Sequence, residues 1–287
     1  MLWLLFAFLT ALFESLKDVT SKRGLQRFDE YVIAASLILF QLPFLLPLYF
    51  VIEIPELGDQ FWHALIIGSI LNLVAITLYI KAIKLSDLSI TVPIINFTPL
   101  FLLLTSPVIL GEYPSPLGLT GILLIVTGSY VLNIRSRNKG FLGPVWALFS
   151  EPGPRYMIVT AFIWSITANI DKIGVQNSSP VFWTIADTIV LGTGMALMMY
   201  IRSRDRIKEI PRNLKLLLPI GFFGAMTFLT QMIAISMTLV AYVISIKRLS
   251  TAMSVMWGHV LFNEQGIKER LAGVIIMIAG VVLISFS

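Results

Sequence analysis

The sequence predicts an all-α integral membrane protein, with ten transmembrane helices arranged as two inverted five-helix repeats. Four observations predict it. Hydrophobic residues fill 57% of the 287 positions and charged residues only 13%, for a mean hydropathy of +0.87. The apolar residues gather in recurring runs of about 20, enough to cross a hydrocarbon core of ~30 Å. Lys and Arg alternate between rich and empty loops along the chain, as they do when successive loops face opposite sides of a membrane. Finally, the second half repeats the first, and each half holds an odd number of spans. The two copies therefore enter the membrane in opposite senses.

The first span is expected at 1–21; it has no basic leader and no small-residue cleavage site, and reads as a retained helix. The following spans are expected at 31–52, 61–83, 88–110, 114–134, 155–174, 180–201, 215–237, 240–262 and 267–286. Breaks fall at Pro55, Pro114 and Pro116, Pro152 and Pro154, Pro180, Pro211 and Gly266. The expected organisation is a first repeat over 1–134, a cytoplasmic connector over 135–153 and a second repeat over 154–287. In the connector, Phe141, Val145, Trp146, Leu148 and Phe149 supply an apolar face suited to the membrane surface, and Pro144 prevents one long helix. A plain amphipathic linker is the favoured reading of it.

Orientation follows from the basic residues. Lys and Arg number 18 in the odd-numbered loops and one, Lys172, in the even-numbered loops. The positive-inside rule then places odd loops in the cytoplasm and both termini outside. The expected location is a prokaryotic plasma membrane.

The repeat shows when residues 111–132 are laid on 263–284 at a shift of 152: Glu112 falls on Glu264, Gly121 on Gly273 and Gly128 on Gly280, without a gap. The same shift sets Ala82 on Ala234. Nearer the start, a shift of 150 sets Lys22 and Gly24 on Lys172 and Gly174, and Ser15 on Ser165. The glycines seven apart share a helix face and read as sites of close packing.

Composition also excludes. With no cysteine, disulfides and thiolate metal sites are ruled out. His63 and His259 are too few and too far apart for a metal site, and no cofactor is expected. The net charge of +5 belongs to loops and argues topology rather than nucleic-acid binding. The expected partners are a small-molecule substrate and membrane lipids, with the chain acting as a monomer or a homodimer.

Chemistry concentrates in the ninth span, where Lys247 and Arg248 lie about 11–12 Å inside the run by helical rise. Cations at that depth face a cavity or a partner, with snorkelling or a structural ion pair as the bland alternative. Thr251 and Ser254 continue the polar stripe begun by Lys247. Glu14 has Lys17 one turn on, which suits an internal ion pair or a protonatable carboxylate. Asp187 has no cation at helical spacing and reads equally as an unpaired acid or as the counter-ion to Lys247 or Arg248. Asn72, Thr77, Tyr79, Asn96, Thr98, Thr230 and Gln231 add neutral donors and acceptors, singly more often structural than functional. The expected substrate-binding set is Lys247, Arg248, Thr251, Asn72, Tyr79, Asn96 and Gln231.

The two copies of the run closing the fourth and ninth spans, SITVPIINFTPLFLLLTSPVILGE (89–112) and SIKRLSTAMSVMWGHVLFNE (245–264), carry a resemblance. Together with ten spans in five-plus-five repeat, they make the chain similar to the drug/metabolite transporter superfamily, EamA type. That resemblance implies a secondary transporter whose third, fourth, eighth and ninth helices line a central cavity; it fixes a class and no molecule. A narrower resemblance joins Lys247-Arg248 to the triose-phosphate/nucleotide-sugar translocators. In the plastid triose-phosphate members an adjacent Lys-Arg of the ninth helix binds the substrate phosphate. Here the fourth-span counterparts are Ile95 and Asn96, so two cations suit a monocarboxylate, a zwitterion or a singly charged phosphodiester better than a doubly charged phosphate. The expected function is alternating-access transport of a small anionic or zwitterionic metabolite, not enzymatic catalysis. The alternatives are an intramembrane enzyme on a lipid-linked substrate and a non-transporting receptor or assembly subunit.

Topology is directly testable. Single cysteines in loop two (53–59) and loop seven (202–215) of this cysteine-free chain meet an impermeant thiol reagent on intact cells. Loop two is expected to react and loop seven to be spared; the reverse pattern would invert the orientation.

Overall fold

A computed structural model describes residues 1–25, 28, 30–85, 92–134, 151–262 and 267–287. The expected connector face at 141–149 and the counterpart residue Glu264 lie outside them. Everything regular in the described residues is helix. The first repeat comprises α1 (Leu2–Leu25), α2 (Glu30–Leu39), α3 (Leu42–Tyr49), α4 (Phe61–Leu85), a 3-10 turn (Val92–Phe97) running into α5 (Thr98–Leu110), and α6 (Pro116–Ile134). The second comprises α7 (Pro152–Gln176), α8 (Pro180–Arg202), α9 (Leu214–Met237), α10 (Val240–Lys247), α11 (Leu249–Phe262) and α12 (Ile267–Ser285). Grouping α2 with α3, the 3-10 turn with α5, and α10 with α11 gives ten spans, two sets of five in opposite orientation.

Ends form where the sequence chemistry puts them. Pro116, Pro152 and Pro180 open α6, α7 and α8, where the missing N–H costs nothing. Ser179 caps α8 by accepting from the Phe182 amide at 3.2 Å. Gly111 ends α5 in the left-handed region at φ +68°. Several helices are apolar all round, and the membrane explains why. On α4, Trp62, Ile66, Ile70 and Val74 form an exposed stripe at i, i+4 spacing, while Phe61, Ala64, Leu65 and Gly68 turn inward.

Three of the ten spans are not continuous helices, which the apolar runs alone do not reveal. The second breaks at Phe40–Gln41, two residues before Pro43. The Gln41 amide turns to Ile38 O at 3.1 Å, and the Gln41 side-chain amide fills the carbonyl of Leu37 at 2.8 Å. The fourth and ninth break at repeat-equivalent places, after Phe97 and at Arg248. At the latter the Arg248 amide bonds Ser245 O and the Thr251 amide bonds Arg248 O, both at 3.0 Å, tightening the turn.

The halves meet about an approximate two-fold axis. By the repeat, α1 packs along α9 and α4 along α7, and the fifth and tenth spans, α6 and α12, pack against each other. A Cβ on Gly121 would lie 2.7 Å from Gly280 O, and one on Gly280 would lie 2.6 Å from Gly121 O. Gly128 and Gly273 repeat the relation at 2.6 Å each way. This reciprocity makes the helices antiparallel and brings their backbones into contact, as the seven-residue glycine spacing predicts.

The consequence is a size limit at these four positions. Gly128→Val is expected to destabilise the folded protein by about 1–3 kcal/mol, since the new side chain meets the backbone of Gly273 and Met277, which cannot yield as a flexible side chain would. Gly192→Ala, whose new Cβ would meet Leu39 at an ordinary 3.4 Å, should be tolerated. Thermal unfolding in detergent separates the two; equal midpoints would remove the packing role.

Candidate functional site

Between the repeats lies one large cavity of about 520 Å³. Its wall is built from Glu14, Lys17, Asp18 and Ser21 on α1, Asn72, Ile76 and Tyr79 on α4, Ile95 and Asn96 at the fourth-span break, Gln231 on α9, and Lys247, Arg248, Thr251 and Ser254 in the ninth span. On α1 and α4 these residues sit toward the ends that run into odd-numbered loops. The cavity thus approaches the odd-loop face. At the even-loop face the repeats are joined: the Gly58 amide bonds Asn177 O at 3.0 Å and the Ser115 amide bonds the Tyr242 hydroxyl at 3.0 Å.

The basic end forms at the ninth-span break, because ending α10 at Lys247 splays Lys247 and Arg248 apart. Lys247 Nζ donates to Gln231 Oε1 at 2.8 Å and lies 3.7 Å from Glu14 Oε2. Glu14 is also paired with Lys17 at 2.7 Å, so the expected internal pair forms and the same carboxylate serves Lys247 as well. Arg248 is placed differently. Its Nε is buried and has no partner among the described residues. A guanidinium is a pre-organised fork that keeps its charge, so its open donors suit a planar carboxylate or phosphate.

Acidic residues occupy another part of the same wall. Asp187 accepts from the Ser69 hydroxyl at 3.1 Å, and Asp171 accepts from the Trp183 indole N–H at 3.2 Å. Trp183 and Asp187 are one turn apart on α8, so both acids face the gap between α7 and α8. Both are buried, and neither forms an ion pair among the described residues. Of the two readings open for Asp187, the counter-ion position belongs to Glu14.

Of the residues named from sequence, Asn72, Tyr79, Asn96, Thr98, Gln231, Lys247, Arg248, Thr251, Glu14 and Asp187 all line the cavity. Two neutral candidates do not. Thr77 turns to Leu73 O and Met198 Sδ, and Thr230 to Met226 O and the Thr10 hydroxyl. Three charged residues that line the cavity were missed as site residues: Lys17, Asp18 and Asp171. Asp18 lines the cavity and accepts from Ser254 at 3.5 Å. Asp171 is hidden in sequence by its neighbour Lys172, which reads as a loop residue but is buried inside α7. The available signal for Asp171 was a charge within an apolar run.

The profile of the EamA-like transporter family matches residues 1–134 and again 152–286. The chain belongs to the EamA-like transporter family. Two matched copies in one chain accord with the two five-helix halves, and the EamA relationship makes this a multi-pass membrane transporter of the drug/metabolite superfamily. A solved crystal structure, 16% identical, superimposes with a TM-score of 0.80 over 99% of this chain and 96% of its own, which supports the fold. No curated protein matches the sequence significantly.

In this EamA-like site, Glu14 is the keystone of the basic cluster. Glu14→Gln leaves Lys17 and Lys247 without their shared carboxylate and is expected to cost about 1–3 kcal/mol of stability. Adding Lys17→Met should recover part of that loss. Detergent unfolding of the two single variants and the double variant measures the coupling, and strictly additive losses would show that the pair contributes nothing.

Proposed function

We propose that this chain is a secondary active transporter that moves a small zwitterionic metabolite by alternating access through the central cavity. The observation that carries the reading is the charge arrangement of the cavity wall. Lys17, Lys247 and Arg248 are the cations, while Glu14, Asp18, Asp171 and Asp187 are the carboxylates. A purely anionic substrate would meet more acid than base. A molecule with a carboxylate at one end and an ammonium at the other matches both parts of the wall.

In this reading Arg248 grips the substrate carboxylate, and Lys247, held by Gln231 and Glu14, supports it and exchanges partners between states. Asp187 and Asp171 receive the ammonium group, each already oriented by a neutral donor. Asn72, Tyr79, Asn96 and Thr251 supply neutral contacts, and the face of Trp164, 5.7 Å from the Tyr79 ring, offers an apolar surface for the substrate's body. The discontinuous fourth and ninth spans border the site, as broken helices do in other transporters. Odd loops facing the cytoplasm of a prokaryotic cell, with both termini outside, would make the present cavity inward-facing.

The deciding experiment is flux into proteoliposomes containing the purified protein, with zwitterions, monocarboxylates and phosphate monoesters as competitors. Zwitterions are expected to compete best. Arg248→Gln should raise the apparent KM by roughly tenfold or more, the loss of one charge-assisted bond, with folded yield retained. Competition by phosphate monoesters alone would overturn the substrate class. Normal transport in both Arg248→Gln and Lys247→Gln would overturn the site, and chemical turnover of a lipid-linked substrate without flux would favour an enzyme.

A further inference from the structure

At the even-loop face, away from the cavity, the structure contains a second buried charge cluster that substrate binding does not use. Lys172 on α7 donates to Glu112, which lies just past the end of α5. Their side chains are only 9% and 12% exposed. Lys172 also donates to Thr238 O at 2.7 Å, and the second carboxylate oxygen of Glu112 accepts from the Val240 amide at 2.9 Å. Four segments are tied at one point: the end of α5 from the first repeat, and α7, the end of α9 and the start of α10 from the second.

Three features distinguish this cluster from an ordinary structural pair. It crosses between the repeats at the face the cavity does not approach. It uses the backbone groups left over at the α9–α10 junction, which an unbroken helix would have satisfied internally. And Lys172 is adjacent on α7 to Asp171, which lines the cavity, so a shift of α7 moves both residues together. An ion pair in a dry closed face and two hydrated charges in an open one are both acceptable, whereas a half-broken dry pair is not. Such a cluster has two stable conditions rather than a continuum.

We propose that Glu112 and Lys172, with Thr238 O and Val240 N–H, form the gate that closes the even-loop face, and that their separation opens the cavity to that side. The proposal rests on the transporter reading, but its test needs no substrate. Movement of α7 against α5 and the α9–α10 junction parts the charges, water solvates them, and the repeats spread at that face. The carbonyl and amide of the junction then also become accessible to water.

The test is side-specific thiol accessibility in the cysteine-free full chain. Ala168→Cys places a reporter on the cavity wall one turn before Lys172. With the gate intact, an impermeant reagent applied to the even-loop face should modify it slowly. Glu112→Gln or Lys172→Gln should raise that rate by roughly tenfold or more, by weakening the closed state alone. Modification from the odd-loop face should fall or stay level, and a cysteine at buried Leu45, away from the gate, should not change. Glu112→Asp, which keeps the charge, should return the rate part-way to that of the parent. Unchanged even-face modification in both neutral variants would overturn the proposal. Equal increases at both faces and at position 45 would also overturn it, since that pattern marks general loosening. Altered accessibility without any flux would leave the gate standing and count against the transport reading instead.

Discussion

Inside a bilayer, every backbone amide and carbonyl must find its partner within the protein, because hydrocarbon offers none. That constraint governs where this fold breaks its helices. The fourth and ninth spans are interrupted at repeat-equivalent positions, and both interruptions border the cavity. The break in the second span is managed locally: the Gln41 side chain takes the carbonyl that the turn toward Pro43 would have left open. At the ninth span the break does more than relieve backbone groups. It ends α10 at Lys247 and leaves Arg248 in the joint, which is how two adjacent residues acquire different surroundings, one bonded to Gln231 and Glu14 and the other with a free buried donor.

The pseudo-two-fold relation explains the architecture, and its violations carry the chemistry. At α6 and α12 the symmetry is nearly strict, because reciprocal glycine contacts allow no side chain on either partner. At the broken spans it is abandoned: Ile95 and Asn96 stand where the second repeat has Lys247 and Arg248. A symmetric pair of cationic clusters would repel across a small cavity, whereas one cluster leaves room for carboxylates on the opposite repeat elements. The frame is thus symmetric where the repeats pack and asymmetric in charge where they enclose the cavity.

The sequence was most legible where long-range packing mattered least. Ten apolar runs, their opposite orientation and the glycine spacing depend on composition and local periodicity, and the structure has all three. The helix breaks were not legible as breaks. Pro43 and Pro93 lie near two of them, and nothing at Arg248 resembles a breaker. At the site, Lys247, Arg248, Gln231 and Tyr79 were visible as polar residues at odds with their apolar surroundings. Asp171 followed the same rule and was obscured by a neighbouring lysine that looked like the start of a loop. Thr77 and Thr230 follow the structural reading given to single polar residues, since a threonine in a membrane helix satisfies itself on its own backbone one turn back and needs no cavity.

Lys172 also shows why a charge count and a charge position answer different questions. As a number it is the lone basic residue assigned to the even-numbered loops, and orientation follows from its being alone. As a position it is buried in α7, neutralised by Glu112 and engaged with the Thr238 carbonyl. A cation tied in this way exposes little charge to the membrane surface, so it opposes the orientation set by the loops less than an exposed lysine would. The same burial makes the contact costly to half-break. α7 therefore carries at adjacent residues one charge on the cavity wall, Asp171, and one tied at the even-loop face, Lys172.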